Sequence, residues 1–600
     1  YPESLRKWST AIGRSTSKAF DQYGWTYAKA ENYDLYFPGY WDSYPAFNGA
    51  IAATYESSGG GKKSYAWERP DGSISTLRNA IHKHFTADLA TLETLADNRK
   101  DILIDFYNFF KKGMDETTNE PFKTYYIHEQ EDPQRAKELV ELLLRHHIEV
   151  YKNNSPVSVK KSQTYFDRSF KAKTIPAGSY IIPVRQPKKR LLKTLFEADT
   201  KMEASFMQDV AARRERDAKL GKDTRKEGHG FYDVTAWALP VHYGVDASFS
   251  EDEVATSGME KVTAVTKEGK VNGGKATYAY AFSYSTNAGT RLAAKLLQMN
   301  YKVAFTQQST QVGGINLDKG TFLVRVDRND DELHELIGKL AKEFGTEVQA
   351  LNTAWGEGGI SLGSKYVAYL QKPSIMVMTQ EPTRAVTYGC VYSVLHQRFG
   401  LDFTPVRTSM FNEVNLYRYN VIIFPDGNPA QYEEMLGKEG VAALNTWIKN
   451  GGTFIGLQGG AAFTARKEVG LSDVELVTKQ NNDSGKNIES LPGSMFKAEV
   501  NNDYYLGLGY KKEVGVQFRG NYHLAPTTRG TNVITFKPSG LISGHKWENT
   551  EADLADKMYL GDIPHGDGHI ILFANDPTFR AYWKGLDRLF VGAIILPGGF

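Results

Sequence analysis

The carboxyl-terminal part of the chain alternates short, almost wholly apolar runs with stretches of helical periodicity. The runs SIMVMTQ and VIIFPDG are each followed by a helical pattern, at 388–399 and at 440–449. A third run, GGTFIGLQGGAAF at 451–463, passes from a strand through a glycine turn into a helix start. Strands buried on both faces read as continuous apolar runs, and strands that alternate with helices pair in parallel. Residues 372–600 are therefore predicted to form a doubly wound, flavodoxin-like parallel sheet.

The glycine turn at 458–460 is predicted to lie at the carboxyl edge of a central strand of this sheet. Two explanations account for its glycines. The backbone N–H groups at the following helix start could hold an anion, or Gly459 and Gly460 could be required because helix and strand pack closely. The sequence favours neither explanation over the other.

The same part of the chain resembles class I glutamine amidotransferase-like domains, through its element order and the segments PDG, LQGGAAF and GHIILFANDPTFRAYW. In that family the strand-to-helix turn carries a cysteine nucleophile, but residues 457–460 read Leu-Gln-Gly-Gly, without Cys, Ser or Thr. Cys390 belongs to an earlier helix, and His565 and His569 fall near the region of the family's catalytic histidine. The resemblance therefore implies an amidotransferase-like domain without glutaminase activity.

Residues 34–61 combine an aromatic loop, a short apolar stretch and a run of small residues. The stretch 50–55 is predicted to be a strand, and it leads into Glu56 and the small residues 58–61. A carboxylate at a strand end beside glycines lies where a substrate can approach closely, which suits a general base. The alternative is an exposed glutamate with no chemical role, a common feature of protein surfaces.

The segment FPGYWDSYPAFNGAIAATYE, at 37–56, resembles zinc carboxypeptidases of the carboxypeptidase A-like type, in particular a large bacterial subgroup. The resemblance continues through 72–93. It implies that Glu56 is the general base and that Tyr36, or alternatively Tyr40, closes over the substrate carboxylate. It also places Asp42 beside the specificity pocket.

The zinc ligands that this resemblance implies are not found at the expected place. In the family a His-x-x-Glu pair and a later His precede the catalytic Glu, whereas the 55 residues before Glu56 contain no His. The pairs His128/Glu131 and His146/Glu149 match the spacing but follow Glu56, contrary to the family's order. We expect an amino-terminally incomplete sequence, with zinc only in the full-length protein and no metal ligand in these residues.

The pattern of elements predicts an α/β protein of four parts. Residues 77–110 carry apolar residues at helical spacing, with a possible break near Asp97. Residues 249–274 are polar and rich in Gly, Lys and Glu, which predicts a linker or exposed turns. The four predicted parts are 1–115, the end of a carboxypeptidase-like domain; 121–250, an α/β spacer module; 275–370, a small α/β module; and 372–600, the amidotransferase-like domain.

Charge and composition exclude several classes of protein. The 72 Lys and Arg residues balance 70 Asp and Glu residues to a net charge of +2, which argues against a nucleic-acid binder. No run approaches the roughly 18 apolar residues that a membrane-spanning helix needs. The single cysteine excludes an internal disulfide and a thiolate zinc cluster.

Two main functional hypotheses follow, with a carbohydrate-processing accessory protein as a third that rests on the aromatic loops alone. The first is a zinc metallocarboxypeptidase-like protein acting on a peptide or peptide-like substrate. The second is a non-catalytic binding or assembly subunit with partners in a bacterial cell envelope. Both place the protein in the periplasm, at the outer membrane or outside the cell.

Overall fold

The computed structural model describes most of the chain, and its elements confirm the α/β class. The described residues are 2–29, 36–57, 65–115, 120–129, 132–220, 224, 226–228, 230–478 and 488–599. Within them, helices accompany sheets of nine, seven and six strands. None of the helices described there combines the length and the apolar character that crossing a bilayer requires.

The amino-terminal part is mainly helical. The predicted long helix is divided at Asn98 into two helices, as the break expected near Asp97 indicates. The first of these begins where the Thr76 hydroxyl accepts a hydrogen bond from the backbone N–H of Asn79 (3.1 Å), a typical helix start. The elements are α1 (Glu3–Asp21), α2 (Ser43–Ala46), β1 (Ala66–Glu68), β2 (Ile74–Thr76), α3 (Leu77–Asp97) and α4 (Arg99–Asp115).

The strand predicted at 50–55 does not form. Residues 50–57 have no regular secondary structure. A strand is stabilised by hydrogen bonds to a neighbouring strand, and the described residues place no strand beside this segment. Its apolar pattern was therefore not enough to make it a strand.

The large apolar side chains of α3 do not form its buried face. Instead α3 packs against α1 through small residues, with Ala87 and Ala90 buried. Ile81, Phe85 and Leu92 keep 59%, 59% and 62% of their surface exposed. Apolar surface of this kind is typical of a face that binds another body.

The spacer part contains a seven-stranded antiparallel sheet with the strand order β6-β5-β8-β3-β7-β4-β9. The segment predicted as a linker supplies its edge strand, β9. The elements are β3 (Thr124–His128), α5 (Pro133–Arg145), β4 (Tyr151–Lys152), β5 (Val157–Thr164), β6 (Lys171–Ile175), β7 (Tyr180–Pro183), α6 (Lys189–Leu195), α7 (Ala204–Lys219), α8 (Leu239–Tyr243), β8 (Asp246–Ser250) and β9 (Glu260–Lys261).

The next part is a six-stranded sheet with the strand order β10-β16-β11-β15-β12-β17 and a separate hairpin of β13 and β14. Its strands pair antiparallel except for β10 with β16. The elements are β10 (Lys270–Asn272), β11 (Ala279–Ser283), α9 (Asn287–Gln298), β12 (Ala304–Thr306), β13 (Thr310–Val312), β14 (Ile315–Leu317), β15 (Thr321–Arg325), α10 (Leu333–Phe344), β16 (Glu347–Leu351) and β17 (Val367–Tyr369).

The carboxyl-terminal part is a nine-stranded mixed sheet with the order β19-β18-β20-β21-β26-β25-β24-β22-β23. The elements are β18 (Ile375–Thr379), α11 (Ala385–Tyr392), β19 (Phe403–Arg407), β20 (Val421–Phe424), α12 (Pro429–Lys449), β21 (Thr453–Leu457), α13 (Gly459–Thr464), β22 (Leu491–Val500), β23 (Glu513–Gly520), β24 (Thr531–Ser543), α14 (Thr550–Leu554), β25 (Met558–His565), β26 (Gly568–Phe573) and α15 (Asp587–Ile595).

The first five strands of this sheet are parallel, and the other four extend it antiparallel. The parallel strands follow the flavodoxin-like order, with the first strand of the domain between the second and the third. Buried apolar residues from Tyr125 to Leu596 form one connected cluster, so the three sheets share a core. The amino-terminal part has a small cluster of its own, around Leu5, Ala46 and Phe109.

Candidate functional site

Glu56, the predicted general base, is exposed in the irregular segment 50–57. This segment is tied to the preceding loop because the Thr54 hydroxyl donates a hydrogen bond to Asp42 Oδ2 at 2.5 Å. Asp42 is only 9% exposed and directly precedes α2. The structure thus brings Asp42 close to the segment that carries Glu56. The small residues 58–61 lie outside the described residues.

Tyr36 and Tyr40 both contact residues of the spacer part. The Tyr40 hydroxyl donates a hydrogen bond to Asp233 Oδ2. The Tyr36 ring packs edge-on against Trp237, with 5.1 Å between the ring centres. Tyr40 therefore contacts Asp233, whereas Asp42 contacts Thr54. The two predicted substrate-binding residues thus contact different parts of the chain.

The second candidate site surrounds the turn after β21. Gln458 lies there with φ 50° and ψ −103°, a conformation that costs a non-glycine residue about 1–3 kcal/mol. Its backbone N–H donates to the Phe573 carbonyl oxygen at 2.8 Å, at the carboxyl edge of β21 and β26. The predicted place of the turn is confirmed. In hydrolases such a turn presents a nucleophilic hydroxyl or thiol. The residue on this turn is glutamine, and its amide is not a nucleophile of that kind.

Gly459 and Gly460 are required by close packing. A Cβ atom at Gly459 would lie 1.9 Å from the Gly427 carbonyl oxygen, and one at Gly460 would lie 2.0 Å from the Phe424 carbonyl oxygen. The Gly459 N–H is already used, since it donates to Asp426 Oδ1 at 3.0 Å. Of the two explanations for these glycines, close packing is therefore the one with direct support.

His565 and His569 lie at the wrong end of the sheet to serve this turn. His569 pairs with Thr453 at the start of β21, whereas Phe573 pairs with Leu457 at its end. Four residues of strand separate the two ends, a distance of about 13 Å. His565 lies further back still, at the end of β25. The expectation that these histidines fall near a catalytic position is therefore corrected.

Cys390 cannot replace the missing nucleophile. The thiol is buried in α11. Burial, reinforced by the negative charge of Asp576, raises the pKa of Cys390 to about 11. The side chain therefore remains a neutral thiol near pH 7, and the thiolate is the reactive form.

Three arginines and two aspartates meet at the carboxyl edge beside the turn. Asp426, which follows β20, is 6% exposed, and its Oδ2 lies 3.1 Å from Arg384 Nε. Asp233 Oδ2 accepts a hydrogen bond from Arg580 Nη2 at 2.5 Å. Desolvation and the positive charges of Arg580 and Arg384 lower the pKa of Arg519, while Asp233 and Asp426 oppose this shift. Arg519 is an exposed residue near the end of β23, and its guanidinium interacts electrostatically with the other four charges.

Four of the eight non-glycine residues with positive φ in the described part of the chain lie at the same edge. Gln380 follows β18 with φ 59°, and Gln458 follows β21. Arg580 and Ala581, in the segment after β26, have φ values of 51° and 55°. Such conformations persist only where the surrounding structure imposes them, and they are found most often at functional sites.

Asn575 and Asp576 follow the end of β26 after one residue. Asn575 Nδ2 donates to the Arg519 carbonyl oxygen at 2.8 Å and so fixes the backbone at Arg519. Asp576 is 3% exposed; its Oδ1 accepts from the Thr578 hydroxyl (2.6 Å), but its Oδ2 has no partner within the described part of the chain. Burial, together with the charge of Asp426, raises the pKa of Asp576 to about 6.

A separate cavity of about 720 Å³ lies between the amino-terminal part and the seven-stranded sheet. Lys189 Nζ lies 3.0 Å from Glu120 Oε1 in its wall. Burial raises the pKa of Glu197, another wall residue, to about 7. The predicted residues Glu56, Tyr36, Tyr40 and Asp42 are absent from this wall, so the cavity is distinct from both candidate sites.

The described residues do not fit zinc. They contain no group of three or more His, Cys, Asp or Glu side chains that could hold a metal ion. His128 Nδ1 lies 3.0 Å from the Ser179 hydroxyl, and His146 Nδ1 lies 2.7 Å from the Tyr44 hydroxyl. Glu131 lies outside the described residues. The expectation that zinc ligands come from elsewhere stays a prediction.

The strand order and the strained turn define the carboxyl-terminal part as a doubly wound, flavodoxin-like α/β domain whose turn carries glutamine. No protein-family model matches the chain, and no curated protein matches it. Similar solved structures include a putative GMP synthase component from Thermoplasma acidophilum. It is 14% identical, covers 37% of this chain and 94% of its own, and has a TM-score of 0.26.

Two further similar structures cover a comparable share of this chain. A putative ThuA-like protein from Bacteroides uniformis is 15% identical over 37% of this chain and 88% of its own, with a TM-score of 0.26. A glutamine amidotransferase from Thermotoga maritima is 12% identical over 36% of this chain and 84% of its own, with a TM-score of 0.25. Likenesses at these TM-scores support no functional conclusion, and the fold assignment rests on the strand order.

The sequence signalled some residues of the second site and not others. Asp426 stands in the PDG segment, and Asn575 with Asp576 stands in the ANDP segment after an apolar strand. Both positions could have been chosen because carboxyl ends of parallel strands carry ligand sites. Arg519 and Arg580 had no such signal, since neither directly follows a recognisable parallel strand.

Proposed function

We propose that this chain is part of a zinc metallocarboxypeptidase-like protein that hydrolyses C-terminal peptide or amide bonds, with Glu56 as its general base. The single observation that carries the proposal is the exposure of the segment that resembles this family. Glu56 is exposed on a stretch with no strand beside it in the described structure, next to helices whose large apolar side chains are also exposed. These are the features of a domain that packs against a further body.

Glu56 would act by accepting a proton from the water that attacks the scissile carbonyl. Asp42, held by Thr54, would stand close to the same segment. Tyr36 and Tyr40 would contribute to substrate binding only if they left Trp237 and Asp233, which they contact here. Zinc belongs to the proposal for the full-length protein alone, because the described residues do not fit it.

The test is Glu56→Gln in the full-length protein. This substitution keeps the size of the side chain and removes its basicity. We expect release of the C-terminal residue from an N-blocked dipeptide to slow by about two to four orders of magnitude. Glu68→Gln, another exposed glutamate of the same part, is the matched control and should keep the wild-type rate. A wild-type rate for Glu56→Gln would remove Glu56 from the mechanism.

A second candidate function is a non-catalytic binding or assembly component of a bacterial cell envelope, in the periplasm, at the outer membrane or outside the cell. The observation that favours it is Gln458 at the position where a nucleophile would stand. The two candidates differ in one measurable result. Full-length protein that binds a blocked dipeptide without hydrolysing it would favour the second.

A further inference from the structure

We propose that the carboxyl edge of the nine-stranded sheet binds a small molecule through an oxyanion, a carboxylate or a phosphate. The Arg519 guanidinium is the principal contact, and Arg384 and Arg580 stand beside it. These three residues are called the arginine site below. This binding function is independent of the reaction proposed for Glu56.

Arg519 is available for a ligand. Within the described part of the chain its guanidinium makes no hydrogen bond and no ion pair, although Arg384 and Arg580 are each paired with a carboxylate. Asp426 and Asp233 each pair with one of the neighbouring arginines, so among the described residues Arg519 is the guanidinium of the three without a carboxylate partner. A planar guanidinium that lacks a protein partner matches the two oxygens of a carboxylate or phosphate in a bidentate contact.

Each of the two neighbouring arginines has a carboxylate partner before any ligand arrives. Arg384, whose side chain is 72% exposed, has its Nε 3.1 Å from Asp426 Oδ2. Arg580 is fixed by Asp233, and its guanidinium also stacks 4.5 Å from the centre of the Phe37 ring. Groups that are already oriented lose less conformational entropy when they bind a ligand.

The backbone that carries the arginine site is also held rigidly. Asn575 fixes the backbone of Arg519 at 2.8 Å, and the Gln458 side-chain amide approaches the same carbonyl oxygen at 3.4 Å. The strained residues Gln380, Gln458, Arg580 and Ala581 lie in the segments that follow β18, β21 and β26.

The turn at Gln458 provides no nucleophile for covalent group transfer. Without Cys, Ser or Thr on the turn there is no side chain to form an acyl intermediate. The geometry is therefore that of a site that holds an anion without forming a covalent bond to it.

Calorimetric titration with succinate and with inorganic phosphate tests the proposal, at constant ionic strength against sodium chloride. We expect at least one of the two probes to bind wild-type protein. Arg519→Gln should weaken that binding at least tenfold, and Arg519→Lys should retain part of it because it keeps the charge and loses the bidentate geometry. Preference for succinate or for phosphate identifies the oxyanion.

The matched control is Arg14→Gln, on the exposed face of α1, which should bind like the wild type. Thermal unfolding of each variant shows whether it is folded, and Arg519→Gln should unfold at the wild-type temperature because its guanidinium makes no hydrogen bond or ion pair in the described structure. Absence of binding by both probes, or equal binding by Arg519→Gln and wild type, would overturn the proposal. Neither result depends on the activity of Glu56.

Discussion

Tyr40 donates a hydrogen bond to Asp233, a residue 193 positions further along the chain. The same carboxylate oxygen of Asp233 accepts a hydrogen bond from Arg580. The loop that carries Tyr40 is thereby attached to the carboxyl edge of the nine-stranded sheet. Asp233 is a support that both candidate sites share.

Removing the Tyr40 hydroxyl should weaken this attachment. We expect Tyr40→Phe to lower the free energy of unfolding by about 1.5–3 kcal/mol, the usual range for a hydrogen bond to a charged group. Urea unfolding measures the change. Tyr65→Phe, at a tyrosine with 78% of its surface exposed, is the control and should change stability by less than about 0.5 kcal/mol. Equal effects of the two substitutions would show that the Tyr40 contact contributes nothing.

The turn after β21 should not tolerate a side chain on its second glycine. Gly460→Ala would place a Cβ 2.0 Å from the Phe424 carbonyl oxygen, which belongs to the backbone and cannot move aside. We expect a loss of stability of about 3 kcal/mol or more. Gly338→Ala in α10, where a Cβ meets nothing within 4 Å, should be neutral or stabilising by up to about 1 kcal/mol. Circular dichroism during thermal unfolding compares them.

The burial pattern of α3 makes an unusual prediction. Phe85→Lys should change stability by less than about 0.5 kcal/mol in this chain, although Phe is strongly apolar, because 59% of it is exposed. Ala87→Lys, only two residues away, should destabilise the amino-terminal part strongly because Ala87 is 2% exposed against α1. Hydrogen exchange of α1 and α3 amides reports both effects. Strong loss of protection in Phe85→Lys would mean that this face is buried.

His242 should make the protein sensitive to acid. Both of its ring nitrogens lack partners in the described structure, and burial lowers the pKa of His242 to about 3. Its ordinary pKa of about 6.5 applies when the chain unfolds. The stability that neutral His242 contributes is therefore complete above pH 6.5 and is lost as the pH falls towards 3.

His242→Phe should remove this dependence. Between pH 6.5 and 4 we expect the wild type to lose about 3 kcal/mol more than the variant. Urea unfolding at a series of pH values measures the difference. His82→Phe, at an exposed histidine, should follow the wild-type curve. Parallel curves for His242→Phe and wild type would contradict the low pKa.

The chain should not carry stoichiometric zinc. A catalytic zinc takes about three protein ligands, and the described residues provide no group of three. Elemental analysis after dialysis should find far less than one zinc ion per chain. One tightly bound zinc per chain would contradict this expectation.

Local sequence patterns were sufficient to predict the structure where a segment forms its own hydrogen bonds or where both faces of a strand are buried. The apolar runs near 375–379 and 453–457 became parallel strands of one sheet, as predicted, because such runs are stable only inside a covered sheet. The same reasoning located the turn at Gln458, and the break in the long helix fell beside Asp97.

The same kind of pattern was insufficient where stability depends on a neighbour. The apolar stretch 50–55 did not become a strand, because no described strand lies beside it. The apolar residues at helical spacing in 77–110 include Phe85, which is exposed, and α3 instead buries Ala87 and Ala90 against α1. An apolar sequence pattern identifies an apolar face but does not identify the residues that cover it.

The sequence alone determined the α/β class, the parallel strands, the place of the strained turn and the absence of a nucleophile on it. These properties depend on residues close together in the chain. Only the tertiary structure decided that Tyr40, Asp233 and Arg580 meet, and that Arg519 stands unpaired among the described charges near Asp426. Charges separated by hundreds of residues interact only after folding brings them within a few ångströms, since the Coulomb energy falls with distance and is screened by water and salt.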